Sequence, residues 1–492
     1  MSESVVNGGG GAEMKLKLTS SDTTSTLVSP TTPPSEPHYP LMEATGSVSY
    51  TTGTGEMMSG GGGVRVYRIR WVILCLFVLY SMSNAFQWIQ YSIINDIITY
   101  YYGVSPTMVD WMSMVYMVTY IPLIFPASWY LQKKGLRRAV LIGACGTMIG
   151  SWVKVGSVSP DRFYLTFAGQ CISAISQIFI LGIPPRLAAV WFGPTQVSTA
   201  CAIGVFGNQL GVALGFLLPP AIVQTSEDKD VVGQGLAFMF NGVAALTTTL
   251  FITIIFVFKE KPPTPPSTAA LVQEETGSYM QGVVRLMKNP GYVLLLLSYG
   301  INVGAFYAIS TLLNQVILAH FPNENENAGR IGLVIVLAGM MGSVVCGFIL
   351  DKTAKFKMVT LVVYILSTLF MLSYTFIFHL ETLWLVFVMA GLLGFFMTGY
   401  LPVGFEFAAE LTYPEAEGTS SGLLNASAQF FGIFCTMADG QLLKNYGDMA
   451  ANLLLVVVLC VGSIMTASIR EDLRRQAAHK KGIHVDSEGP RV

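Results

Sequence analysis

Apolar runs dominate the chain, and polar residues serve mainly to separate them. Twelve runs are long enough for a membrane-spanning helix, which needs about 20 apolar residues. They cover 71–100, 108–131, 139–157, 163–185, 195–224, 234–258, 291–318, 329–350, 359–379, 383–409, 418–440 and 449–469. Between the sixth and seventh lies a polar stretch, 259–290, with Pro262-Pro263-Thr264-Pro265-Pro266 inside it. The pattern predicts an all-α membrane protein of twelve transmembrane helices. They form two six-helix halves, 71–258 and 291–469, joined by a cytoplasmic linker over 259–290. Residues 1–70 are rich in Gly, Ser, Thr and Pro and have no apolar core, so a disordered cytoplasmic tail is expected there. Residues 470–492 read as a second cytoplasmic tail.

The first run breaks its own pattern. Its middle reads Asn84-Ala-Phe-Gln-Trp88-Ile-Gln-Tyr91. On one helix, Ser81, Asn84, Trp88, Tyr91 and Asn95 share a face. Trp prefers the membrane interface to the midplane. A mid-span Trp among amides therefore marks either packing between helices or a binding site.

Composition agrees with the pattern. Of 492 residues, 52% are apolar and 12% charged, with a mean hydropathy of +0.56. A soluble domain carries about twice that charge. The net charge of −1, with no basic block carrying aromatics, gives no reason to expect nucleic acid. The seven Cys stand singly in apolar runs and suggest neither disulfides nor a metal. Lys and Arg set the orientation: with both termini inside, 23 fall inside and only Arg162, Lys229, Arg330 and Lys444 outside. Lys154, near the outer end of the third helix, is expected to snorkel to the surface.

The halves repeat. A shift of about 218 residues brings Asn84 onto Asn302, Pro184 onto Pro402 and Gly204 onto Gly422. The loop after the eighth helix reads Gly347-Phe-Ile-Leu-Asp351-Lys352-Thr-Ala-Lys355-Phe-Lys357, and a weaker copy follows the second helix. This resembles the cytoplasmic-loop signature of the major facilitator superfamily, with Ser128 and Gln132 replacing the Gly and the acid in the first copy. The signature implies a latch. Gly347 would allow close helix approach, Asp351 would sit at a helix N-terminus, and Lys352 and Lys355 would face headgroups or pair with Glu406 and Glu410.

In such a fold the substrate site lies at mid-depth between the halves. Helices 1, 4, 7 and 10 line it, with 2, 5, 8 and 11 alongside. The polar and aromatic candidates are Asn84 and Trp88, then Gln170, Ser173 and Gln177, then Asn208 and Gln209. The second half adds Asn302, Phe306 and Tyr307, then Ser421, Asn425 and Gln429. No carboxylate or His falls mid-span on these helices, which favours facilitated, uncoupled transport over proton coupling. Aromatics with amides suit a quaternary ammonium, whose charge is attracted to ring faces by about 0.5–2 kcal/mol per ring. Amides that bridge helices and rings that fill space remain the competing reading, and a sugar porter is a generic alternative.

Several strings narrow the field: Asn84-Ala-Phe-Gln-Trp88-Ile-Gln-Tyr91, Asp110-Trp-Met-Ser-Met-Val-Tyr-Met, Gln177-Ile-Phe-Ile-Leu-Gly and Gly207-Asn-Gln-Leu-Gly. Over residues 70–470 the chain resembles the feline leukaemia virus subgroup C receptor family, described both as haem transporters and as facilitative choline and ethanolamine transporters. The resemblance implies that Trp88 and Tyr307 face the substrate cation, that Gln177 and Gln429 flank its hydroxyl, and that Asn84 lines the cavity. Phe306 and Asn425 are further lining candidates. The expected function is uncoupled choline and ethanolamine transport, by a monomer in the plasma membrane, with no cofactor, metal, enzymatic constellation or nucleic-acid partner. Haem transport is the alternative, although the span centres lack His and almost all basic groups.

Overall fold

The computed structural model describes residues 67–264 and 279–474, apart from 194, 195, 414, 416 and 471. The predicted N-terminal tail up to residue 66, the middle of the linker and most of the C-terminal tail lie outside the described residues.

Long helices fall on all twelve predicted runs. The first span is built from α1 (Ile69–Ile89) and α2 (Asn95–Tyr102), the second is α3 (Pro106–Lys134) and the third α4 (Leu136–Val155). The fourth combines α5 (Phe163–Leu181) and α6 (Ile183–Trp191), followed by α7 (Val197–Ile222) and α8 (Lys229–Val257). A short α9 (Tyr279–Met287) lies in the predicted linker. The second set is α10 (Pro290–His320), α11 (Asn325–Thr353), α12 (Phe356–Ile377), α13 (Leu383–Thr412), α14 (Glu417–Tyr446) and α15 (Asp448–Ser468). Among the described residues, ten spans are long and apolar enough to cross a membrane, and the more polar α4 and α14 fall outside that set.

Local chemistry explains several ends. Asn289 Oδ1 accepts from the N–H groups of Gly291 and Tyr292, and Pro290 occupies the first turn of α10. Glu260, from the linker, accepts from the N–H groups of Leu136 and Arg137 at 2.6 and 2.7 Å. It supplies a carboxylate where the α4 dipole favours one. Gly135, just before, has φ +90°, and a Cβ there would run into that carboxylate.

Two spans depart from the predicted continuous helix. The first stops at Ile89 and passes through one 3-10 turn, Ser92–Ile94, before α2 begins. No Gly or Pro causes this. Instead Ile93 O leaves the helical ladder and accepts from Asn314 Nδ2 of α10 at 2.8 Å. The predicted polar face therefore ends near Trp88, and Asn95 turns to Asp110 and the Pro106 carbonyl. The fourth span breaks at Gly182 and restarts with Pro184 in the first turn of α6, reaching Trp191 rather than 185. Its repeat partner Pro402 stays inside continuous α13.

The first and seventh spans are central, with 72% and 78% of their apolar windows buried against 28% for α8. The two helix sets are joined at the end opposite the linker, here called the distal end. Ser113 and Thr311 hydroxyls lie 3.1 Å apart. Gln315 Nε2 donates to Asp110 Oδ1 at 2.8 Å, and Asn325 Nδ2 donates to Asp96 Oδ2 and Thr225 Oγ1. At this end α7 and α11 touch through glycine: a Cβ on Gly332 would overlap the Phe216 ring, and one on Gly329 would lie 2.9 Å from Pro220 Cγ.

Candidate functional site

The break in the first span puts Trp88 in the last turn of α1. Tyr307 lies in mid-α10, and the two rings meet between the halves with centroids 5.5 Å apart and planes at 72°. The Gln429 side chain of α14 lies beside the Tyr307 hydroxyl. Phe306 has its ring centroid 6.4 Å from that of Tyr307. Trp88 and Phe306 are almost buried, at 7% and 8% exposure.

Glycine makes this convergence possible. A Cβ on Gly304 would stand 2.6 Å from the Phe431 carbonyl carbon, so α10 and α14 approach closely there. A Cβ on Gly432 would lie 2.9 Å from both Tyr307 Cδ2 and Met117 Sδ. Four helices, α1, α3, α10 and α14, thus meet around the Tyr307 ring. Overpacking costs about 1–3 kcal/mol, partly by forcing side chains from their wells. Gly432→Ala should displace the ring and lower substrate uptake by about tenfold at equal surface expression. An uptake assay normalised to surface-labelled protein checks this.

The other candidates take different places. Gln177, 9% exposed, lies on α5 two turns from Gln170. Asn425 is half-buried on α14, and its neighbour Ala426 packs on the cluster of Tyr120, Ile124, Ala127 and Ile178, where α14 meets α3. Asn84 is fully buried, and its Nδ2 donates to Thr147 Oγ1 at 3.1 Å and Ser173 O at 3.0 Å. Its amide ties α1 to α4 and α5. Asn208 similarly bonds Ser81, linking α7 to α1.

The latch residues lie at or near the linker ends of α11 and α13. Gly347 has nothing within 4 Å of an added Cβ. Toward α13 a close approach of α11 falls at Gly342, where a Cβ would meet the Phe395 backbone. Lys352 and Lys355 are exposed, Glu406 is exposed and Glu410 buried, while the Asp351 side chain lies outside the described residues. An ion pair at the linker end joins Arg285 of α9 to Glu415.

Lys154 does not snorkel. It is 1% exposed, and its Nζ donates to Gln87 Oε1 at 2.8 Å. Small residues make the room: a Cβ on Gly169 would stand 2.8 Å from Lys154 Cγ. A signal was present in the sequence, since Thr147, Ser151 and Lys154 share one helix face at spacings of four and three. That polar face is masked by the lysine's position near a helix end. No group of three or more His, Cys, Asp or Glu able to hold a metal occurs among the described residues.

Comparison with known proteins gives the class first. Residues 74–437 match the model of the Major Facilitator Superfamily. A bacterial homologue of the human lysosomal transporter Spinster, inward-facing and unoccupied, superposes with a TM-score of 0.63 at 14% identity, covering 82% of this chain and 97% of that one. The chain is a multi-pass membrane transporter of the major facilitator superfamily, not an enzyme.

The relatives then narrow the class. A choline/ethanolamine transporter of Danio rerio, flvcr2a, is 55% identical over 435 residues, covering 87% of this chain and 93% of the relative. The Homo sapiens choline/ethanolamine transporter FLVCR2 is 52% identical over 423 residues, covering 85% and 80%. The chain belongs to the feline leukaemia virus subgroup C receptor family of transporters.

Proposed function

We propose that this protein carries choline, ethanolamine and related small amines across the plasma membrane by uncoupled alternating access. The observation that carries the reading is the Trp88–Tyr307 ring pair, built from both halves at the interface between them. In that pair the positive edge of one ring faces the negative face of the other, which is where a cation would bind. Substrate displaces the ring edge and takes both faces. Gln429, at the Tyr307 hydroxyl, is in reach of a hydroxyl or amine on the same molecule, and Gln177 is assigned the opposite side. Phe306 and Asn425 complete the lining, while Asn84 holds α1 in place from behind.

The 23 inward Lys and Arg residues support cytoplasmic termini and a cytoplasmic linker. The closed distal end then faces outward, and the carrier is in its inward-open form, acting as a monomer. Lys352 and Lys355 serve the linker-end closure of the opposite form, with Asp351, Glu406 and Glu410 as their partners and Gly347 as a hinge-side small residue.

Purified protein in liposomes tests this. Labelled choline should cross saturably, down its gradient, at equal rates with and without a sodium or proton gradient. Ethanolamine should compete and haem should not. Haem flux without choline flux would replace the reading with the haem alternative. Binding of choline without flux would make the protein a receptor.

A further inference from the structure

Because α1 ends at Ile89 within the span, its last carbonyls lack helical donors. A helix C-terminus carries roughly half a negative elementary charge. Broken helices in membrane carriers use such ends, with neighbouring oxygens, to hold a cation. Here a lysine of the same chain stands beside that end. Lys154 Nζ lies 2.8 Å from Gln87 Oε1 and 5.8 Å from the centre of the Tyr91 ring, so it faces the last turn of α1 and the first residues beyond it. Ser151 Oγ and Ser173 Oγ donate to the same Gln87 oxygen at 3.3 and 3.1 Å. Gln170 Nε2 holds the Gln87 carbonyl at 2.8 Å.

The groups around Nζ come from each neighbouring element: Gln87 from α1, Tyr91 from the break, Ser151 from α4, and Ser173 and the Cys171 thiol from α5. No carboxylate is among them. An ammonium buried without a counter-ion is costly, and the Gln87 oxygen and the Tyr91 ring at the end of α1 are the groups that face it.

We infer that Lys154 is a tethered cation that fills the ion position at the broken end of the first helix, fixing Gln87 and hence Trp88 without a coupling ion from solution. Lys154 is thus a positioning residue: it reaches the site through Gln87, the residue before Trp88. The inference rests on the uncoupled reading above and gives it a structural cause.

The test removes the tether and offers a free cation. Wild-type liposomes should transport choline equally in sodium and N-methylglucamine salts. Lys154→Ala should lose about tenfold in N-methylglucamine, as expected when a charge-assisted hydrogen bond is lost. Sodium or methylammonium should restore part of the rate. The melting temperature of purified Lys154→Ala should rise with the same cations while that of wild type stays constant. Stable Lys154→Ala protein with no cation effect on rate or melting would overturn the inference, as would wild-type rates in every salt. If Lys154→Ala is not recovered, Gln87→Glu decides. Beside an ammonium the new carboxylate raises the melting temperature; a fall overturns the inference. Should wild type carry no choline, the proposed function fails, and the melting measurements still judge Lys154.

Discussion

Trp88→Ala should abolish saturable choline uptake while leaving the protein at the cell surface. Each ring face contributes about 0.5–2 kcal/mol to a cation, more when water is excluded. The Trp face is the better of the two, and Trp88 is nearly buried. Losing it removes about 2 kcal/mol from the bound cation, or roughly thirtyfold in affinity. Tyr307→Ala should behave similarly. Tyr307→Phe keeps the ring, loses the hydroxyl that meets Gln429, and should reduce uptake only several-fold. Initial rates against choline concentration, divided by surface protein, give the answer. Saturable uptake that survives in both alanine variants would remove the ring pair from the mechanism.

Gly332→Val should trap the carrier with its distal end open. The halves meet there through the Phe216 ring lying directly on Gly332, where even one methyl group would overlap it. Interfaces packed this closely give little when volume is added. The hydrogen bonds at the same end, Ser113 with Thr311 and Gln315 with Asp110, also need the halves to close there. Valine should therefore cut uptake by about a hundredfold, since the cycle requires distal closure at every turnover. In a Ser113→Cys background, buried in the closed form, Gly332→Val should expose the thiol to a membrane-impermeant reagent added outside. Gly242→Val, where an added Cβ meets nothing within 4 Å, serves as the control and should leave both readings unchanged. A Ser113→Cys thiol that stays protected in the Gly332→Val protein would contradict the closure described above.

Much of the fold was legible because lipid leaves few choices. Backbone groups must bond within the segment, so apolar runs of sufficient length become helices. What escaped was chemistry that depends on neighbours distant in sequence. The first span looks continuous because nothing local stops a helix at Gln90; the Asn314 amide, more than 200 residues away, draws out the Ile93 carbonyl. Lys154 looked like a surface lysine because its acceptor sits on another helix. Glu260 lies in the linker by sequence, yet it caps α4 as the acid of the loop signature, Asp351, is expected to cap a helix. The repeat itself was informative but blunt. A shift of 218 places Trp88 opposite Phe306, whereas the ring that meets it is Tyr307. One residue rotates a helical side chain by about 100°, so repeat arithmetic cannot choose between neighbours. The family resemblance made that choice.

The edge-to-face contact of Trp88 with Tyr307 bears on the half of the cycle that carries nothing. On the reading proposed above, in which no ion is coupled and the rings hold the cargo, the carrier must come back empty, and an empty polar gap between two halves would resist shutting. Here the two rings supply for each other what the cargo would supply, at 5.5 Å and with matched charge distribution. The unloaded machine can therefore reset through nearly the same closed geometry as the loaded one. Net flow then follows whichever side holds more amine, and exchange against a second amine should be little faster than one-way movement.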